Sequence, residues 1–208
     1  MQKALQQFQT NLVSVRHLDT IYLALSSQTT AAVDLSEILR SEIVAVVSAL
    51  DHFIHDLVRI GMLEIFTGTR PVCNAYLNYT VSLECLQYIV STNDNMQQAI
   101  FFEQEIKKRN AYQSFQEANK ISQALSKIGI KQIWQQVATQ MNQTQKDVKD
   151  RLNLIIDRRN QIAHEFDMQP ALGVSNIRNP IDRILVNDAV DFIEKVANAI
   201  YKVVINTI

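Results

Sequence analysis

Arg151–Phe166 reads RLNLIIDRRNQIAHEF, and how it folds decides how the rest of the chain must be arranged. At about 100° per residue, Leu152, Ile155, Ile156, Ile162, Ala163 and Phe166 fall on one apolar stripe of a helix. Arg159 interrupts that stripe. Asp157, Asn160, Gln161 and His164 gather on an adjoining face, because residues three and four apart are neighbours on a helix. A guanidinium on an apolar face costs free energy unless something pairs with it. The stretch therefore predicts a helix that faces a partner, a ligand or both.

Upstream, Thr144 with Asp147 three residues later forms a capping signature that starts this helix. Downstream, FDMQPALGVSNIRNP carries Pro170, Gly173 and Pro180 and predicts a loop. Asn179 as N-cap, Pro180 at the first position and Asp182 in the first turn then open a last helix. Its core-facing stripe is expected at Ile184, Ile193, Val196, Ala197, Ile200, Val203 and Val204.

Helical periodicity also predicts a first helix over about residues 3–27. A long second helix follows over about 35–66, opened by Asp34 and Glu37 as a capping box. Its middle is apolar on most sides, which places it centrally in a bundle. TGTRPVCNAYLN at 67–78 reads as a loop, and helices follow over about 80–90, 96–122 and 130–141, the last after Gly129. The charged cluster Glu103, Glu105, Lys107, Lys108 and Arg109 reads as a solvated helix face. With no internal repeat or linker, residues 1–208 are expected to form a single all-α helical domain.

Composition agrees with a soluble globular protein: 47% of residues are hydrophobic and 20% charged. A formal net charge of -1 excludes a broad basic footprint but leaves room for a local phosphate site. Two cysteines, Cys73 and Cys85, are too few for a disulfide framework or a paired-cysteine zinc site, so a cytoplasmic location is expected. The N-terminus has no apolar core of signal-peptide type, and the most apolar run, 43–50, is too short to span a membrane. No Gly-rich phosphate loop, Ser nucleophile elbow or Cys nucleophile signature occurs. His52, His55 and Asp56 have metal-ligand chemistry but no further ligands at matching spacing, so neither a metal nor a cofactor is expected.

Arg159, Asn160, Ala163 and His164 match a short pattern: Arg, often followed by Asn, then His after four to six residues of any kind. In this the stretch resembles HEPN domains (higher eukaryotes and prokaryotes nucleotide-binding). The segment SEIVAVVSALDHFIHDLVR at 41–59 looks like the corresponding helix of a bacterial branch, the RiboL-PSP type. The resemblance runs from about Leu35 to the last helix. It implies a four-helix core with additional helices, and a homodimer that brings two motifs together across a two-fold axis. It also implies metal-independent endoribonuclease activity, plausible settings being prokaryotic defence or a toxin–antitoxin pair with an antitoxin or other regulatory partner. RNA is then the expected substrate, with no membrane partner.

The residue chemistry suits that activity. Attack of a ribose 2′-OH on the adjacent phosphorus needs a group that accepts a proton near neutral pH, and histidine does so. It also needs fixed positive charge where the phosphorane gathers negative charge. His164 is therefore expected as general base or acid, Arg159 as phosphate clamp and Asn160 as the orienting hydrogen-bonder. Arg158 is expected to be solvated or to touch the RNA backbone. Asp51 and His55, one turn apart on the second helix, are candidates to reach His164, the alternative being a hydrogen-bonded polar seam inside the bundle. In the HEPN branch controlled by a nucleotidyltransferase, a Tyr stands two residues after the His; here that position is Phe166. The competing reading is a HEPN module without catalysis that binds RNA, nucleotides or protein, with His164 merely complementing the helix dipole and Arg159 paired to an acidic neighbour.

Overall fold

The computed structural model describes residues 1–30, 32–169 and 178–207, and within them every regular element is a helix. The nine helices among the described residues are α1 (Gln2–Ser26), α2 (Ser36–Phe66), α3 (Asn74–Leu77), α4 (Leu83–Ser91), α5 (Asn95–Asn110), α6 (Ala118–Ser126), α7 (Ile133–Met141), α8 (Gln145–Glu165) and α9 (Arg183–Asn206). The all-α expectation is met. Pro170 and Gly173, on which the loop prediction rested, lie outside the described residues.

α2 is the central element, as its apolar middle requires. It packs against α1, α5, α6, α8 and α9 and buries Val46, Val47, Leu50, Phe53, Ile54, Leu57, Val58 and Met62. Phe8 of α1 lies against Phe53 with ring centroids 5.2 Å apart. α9 supplies Val190, Ile193, Val196, Ala197, Ile200 and Val204 to the same cluster, and α8 supplies Val148, Leu152 and Ile156. Each large side chain so buried contributes about 1.5–3 kcal/mol. A Cβ added at Gly61 would come within 2.7 Å of Ile128, so only glycine lets α2 approach the end of α6 this closely.

Polar contacts set the helix directions. The N-terminal amine of α1 lies 3.7 Å from Glu64 near the end of α2, so α1 and α2 are antiparallel. Arg40 at the start of α2 reaches Asp167 just beyond α8, so α2 and α8 are antiparallel too. Buried Arg70 joins three helix ends, donating to Glu64, to the Ile128 carbonyl at 3.4 Å and to the Val204 carbonyl at 3.3 Å.

The cap at Thr144 and the break at Gly129 stand where expected: Thr144 Oγ1 accepts from the Asp147 amide at 3.1 Å, and Gly129 takes φ +85 between α6 and α7. Three local expectations fail. Asp34 and Glu37 form no capping box; Asp34 accepts from Ser36 N, while Glu37 pairs with Arg178 and Arg40. The last helix opens at Asp182, whose carboxylate caps Leu185 N at 3.0 Å, and Asn179 is occupied with Asp167 instead. Ile184 then lies outside the core stripe and is 80% exposed.

The helix expected over 96–122 is two helices. Ala111–Glu117 leaves the helical path because tertiary acceptors capture its backbone. Asp51 Oδ1 accepts from the Phe115 amide at 2.6 Å, and Asn153 of α8 accepts from the Ala118 amide at 3.2 Å. These partners outweigh a propensity difference of a few tenths of a kcal/mol per residue, about 0–0.7.

Candidate functional site

The apolar stripe of α8 is buried only as far as Ile156. Beyond it Ile162 packs on the core edge, whereas Ala163 and His164 are exposed and Phe166 is 73% exposed. The last turns of α8 thus project a polar face past the hydrophobic cluster.

α8 stops in a left-handed turn. Phe166 and Asp167 take φ +52 and +59, a region that non-glycine residues enter at a cost. The Asp167 amide donates to the Gln161 carbonyl at 3.0 Å, and the turn carries the Asp167 side chain back beneath the helix, where it is fully buried. There its carboxylate meets two guanidiniums. Arg40 Nε donates to Oδ2 at 2.7 Å, and Arg158 pairs with Oδ1 at 2.7 Å and donates to Oδ2 at 2.8 Å. Asn179 completes the cluster: its amide donates to the Asp167 carbonyl at 2.8 Å, and its carbonyl accepts from Arg40 at 3.0 Å. Arg158 also donates to the Pro180 carbonyl at 3.0 Å. Burial lowers the Arg158 pKa, Asp167 opposing and Arg40 adding to the shift.

Arg158, expected to be solvated or on an RNA backbone, is thereby engaged inside the protein. The reason is the turn: no helical register brings Asp167 to Arg158, but two left-handed residues do.

Arg159 has no such partner among the described residues. Its NH1 donates to Asn160 Oδ1 at 3.1 Å, and its Nε is buried without an acceptor. Asn160 lies one turn before His164 on the same face of α8, and its side chain accepts from the Arg159 guanidinium. Arg159, Asn160 and His164 thus lie in the last two turns of α8, the first two in hydrogen-bond contact. No side chain among the described residues hydrogen-bonds the His164 ring.

Asp51 and His55 are placed elsewhere. His55 Nε2 donates to the Gln113 carbonyl at 3.1 Å, and its ring lies on Phe115 with centroids 4.3 Å apart. Since Asp51 also holds Phe115, this pair anchors the break between α5 and α6. That segment meets α8 at Asn153, eleven residues before His164 and so about 16 Å away along the axis. Within one chain they do not reach His164, and they form the polar seam that was the alternative.

His52 lies 3.6 Å from Asp56, whose other oxygen is taken by Arg59. Among the described residues no group of three or more His, Cys, Asp or Glu side chains converges as a metal site would. No described helix is long and apolar enough to cross a membrane. Cys73 and Cys85 are free thiols, and burial raises the pKa of Cys85.

Beside the polar face, α8 and the start of α9 enclose a groove of about 460 Å³, lined by Leu154, Ile155, Ile181 and Leu185 with Arg151 and Asp157 at its rim. Leu154, Ile184 and Leu185 are exposed there. The sequence reading placed Ile184 in the core and gave Leu154 and Leu185 no role, since nothing local marks an exposed apolar residue as lining a groove.

No curated protein and no solved structure matches the chain. A family model described as RiboL-PSP-HEPN matches residues 11–206, nearly its whole length and including both α2 and the Arg159 to His164 motif. With an all-α fold that carries the motif on an exposed helix end, the chain belongs to the RiboL-PSP-HEPN family.

Proposed function

We propose that this protein is a metal-independent endoribonuclease that acts as a homodimer and leaves 2′,3′-cyclic phosphate and 5′-OH ends. The observation that carries this reading is the contrast among three neighbouring arginines. Arg40 and Arg158 share the buried carboxylate of Asp167, whereas Arg159 meets no carboxylate among the described residues and donates to Asn160, one turn before His164. A cation left without a counterion beside an exposed imidazole is equipped for a phosphodiester.

In this reading Arg159 clamps the scissile phosphate and gathers the charge that builds on its equatorial oxygens. Asn160 fixes the guanidinium through Oδ1. His164 takes the proton of the 2′-OH, and His164 of a second copy protonates the departing 5′-oxygen. DNA, lacking the 2′-OH, is not cut. The exposed Leu154, Phe166, Ile184 and Leu185 around the α8–α9 groove support pairing of two copies at this end of the molecule. A cytoplasmic setting, a role in prokaryotic defence and an antitoxin or other regulatory partner follow from the family resemblance.

One observation favours a second reading, a module that binds RNA or nucleotides without cleaving them: nothing described in the chain orients the His164 ring, as a base in a catalytic pair is usually oriented. The two readings part in one experiment. Mixed RNA is incubated in chelator with wild type, Arg159→Ala and His164→Ala, and the product ends are identified. Cyclic-phosphate ends that vanish in both variants establish the nuclease. A folded, dimeric wild type that leaves RNA intact, or equal cleavage by all three, leaves the binding module standing.

A further inference from the structure

A second polar concavity lies far from the α8 terminus. It is formed by the turn before α4, the C-terminal half of α5, the break after it and the end of α6. Tyr79, Lys108, Arg109, Tyr112, Gln113 and Lys127 line a hollow of about 750 Å³. An adjoining hollow of about 350 Å³ shares Tyr112, Gln113 and Lys127 with it and adds Phe115 and Lys120.

The charges in this cleft are unevenly satisfied. Glu105 lines the hollow but is buried and engaged, accepting from Ser82 N at 2.7 Å, from Ser82 Oγ at 3.0 Å and from Arg109 Nε at 2.6 Å. Glu117 is taken by Lys120. Lys108 and Lys127 have no carboxylate partner among the described residues. Lys127 is the unusual one. Its Nζ sits 5.3 Å from the Phe115 centroid and 5.9 Å from that of Tyr79, with Gln113 Oε1 at 3.4 Å as its one polar partner among the described residues. Burial lowers its pKa, the mark of an ammonium held away from water without a counter-anion. The Tyr79 hydroxyl is buried without a partner beside it. At the rim Tyr112 is 99% exposed, a whole aromatic face offered to solvent between cations.

Unpaired cations interleaved with a free aromatic face and amide side chains match the needs of an unpaired nucleotide strand: phosphates for the cations, a base for the ring. An acidic peptide would use the cations and leave Tyr112 idle. We propose that this cleft binds single-stranded RNA, with backbone phosphates at Lys108 and Lys127 and a base stacked on Tyr112. It would thus serve as a grip remote from the Arg159, Asn160 and His164 face. The proposal rests on the RNA-directed reading of the protein, to which it adds where the strand is held away from the scissile bond. Asp51 and His55 acquire a purpose here, since they hold the Gln113 to Phe115 segment that floors the cleft.

The test measures anisotropy of a fluorescent single-stranded oligouridine on full-length His164→Ala protein, which leaves the probe uncut, and on the same chain with one further change. Tyr112→Ala touches a fully exposed side chain and leaves the fold intact; affinity falls about five- to a hundredfold, and Tyr112→Phe restores it. Lys127→Gln lowers the slope of log affinity against log salt by about 0.7, one single-strand phosphate contact. Affinity indifferent to Tyr112 and Lys127, absence of binding by the parent chain, or equal competition by polyglutamate overturns the proposal. Loss of affinity in Tyr112→Ala alongside a wild type that does not cut keeps the cleft and removes the nuclease. Cutting by wild type with affinity unmoved by these changes does the reverse.

Discussion

Arg158 donates to a carboxylate that is wholly buried, whereas Arg159, the next residue, finds among the described residues no acceptor for its buried Nε and donates to Asn160 alone. A step of about 100° around α8 separates a side chain that reaches Asp167 from one whose Nε is buried and whose other nitrogen reaches Asn160. The first region, Arg40, Arg158, Asp167 and Asn179, is a closed network in which two guanidiniums share one carboxylate and backbone carbonyls accept from both. The second, Arg159, Asn160 and His164, is open. A closed buried network resists change because removing one member strands the others, whereas an open face costs the fold little to alter and is free to meet a ligand.

The largest effect on stability is expected at the centre of the closed network. Asp167→Ala leaves Arg40 buried and Arg158 half-buried without their shared carboxylate and costs about 3–5 kcal/mol in urea unfolding. A loss under about 1 kcal/mol would mean that the network is not closed in solution.

A buried carboxylate without partners gives the opposite sign. Glu42 is 0% exposed, neither oxygen has a hydrogen-bond partner, and burial, with Asp19 nearby, pushes its pKa up to about 7 against the favourable pull of Arg16 and Arg183. Between its ordinary 4.5 and about 7 the folded chain holds a proton that the unfolded chain has released, so Glu42 erodes stability as pH rises through that window. Glu42→Gln should therefore gain about 2–3 kcal/mol at about pH 8 and little near pH 4, read from melting curves at both. A gain independent of pH would assign the effect to something other than ionisation.

Smaller still is the cap of α8. Thr144→Ala removes the acceptor for the Asp147 amide and costs about 1 kcal/mol. The smallest stability change belongs to the open face: His164→Ala and Arg159→Ala should each move the unfolding free energy by less than about 0.5 kcal/mol. In the same proteins cleavage should fall about a hundredfold or more, for loss of the proton-transfer group or of the phosphate clamp. A large stability loss in either variant would place these residues with the closed network and remove the contrast.

Much of this was legible in the sequence. The helical period of α1, α2 and α8, the Thr144 cap and the break at Gly129 are local signals, carried by residues within one or two turns of each other. The Arg159, Asn160 and His164 motif was legible for the same reason, since i to i+4 spacing alone places Asn160 beside His164. The family followed from that motif together with the apolar middle of α2. The misreadings share one cause, a distant partner. Asp51 and Asn153 draw the backbone out of the helix expected over 96–122, and Arg178 takes Glu37 from its capping box. Asp167 recruits Asn179, so that α9 begins late. Ile184 is a different case, since nine residues set it about 180° from buried Ile193 and so outward.

By itself, then, the sequence determined that the chain is all-α, which helix is central and which residues share the exposed end of α8, because periodicity and capping act over a few residues. Only the tertiary structure decided which of two adjacent arginines is left open and that Asp51 and His55 brace the α5–α6 break rather than meet His164. It also decided that Lys127 ends up between two aromatic rings with no carboxylate. Those outcomes depend on side chains from nine to more than sixty residues apart, and the first also on a turn whose left-handed residues are Phe166 and Asp167.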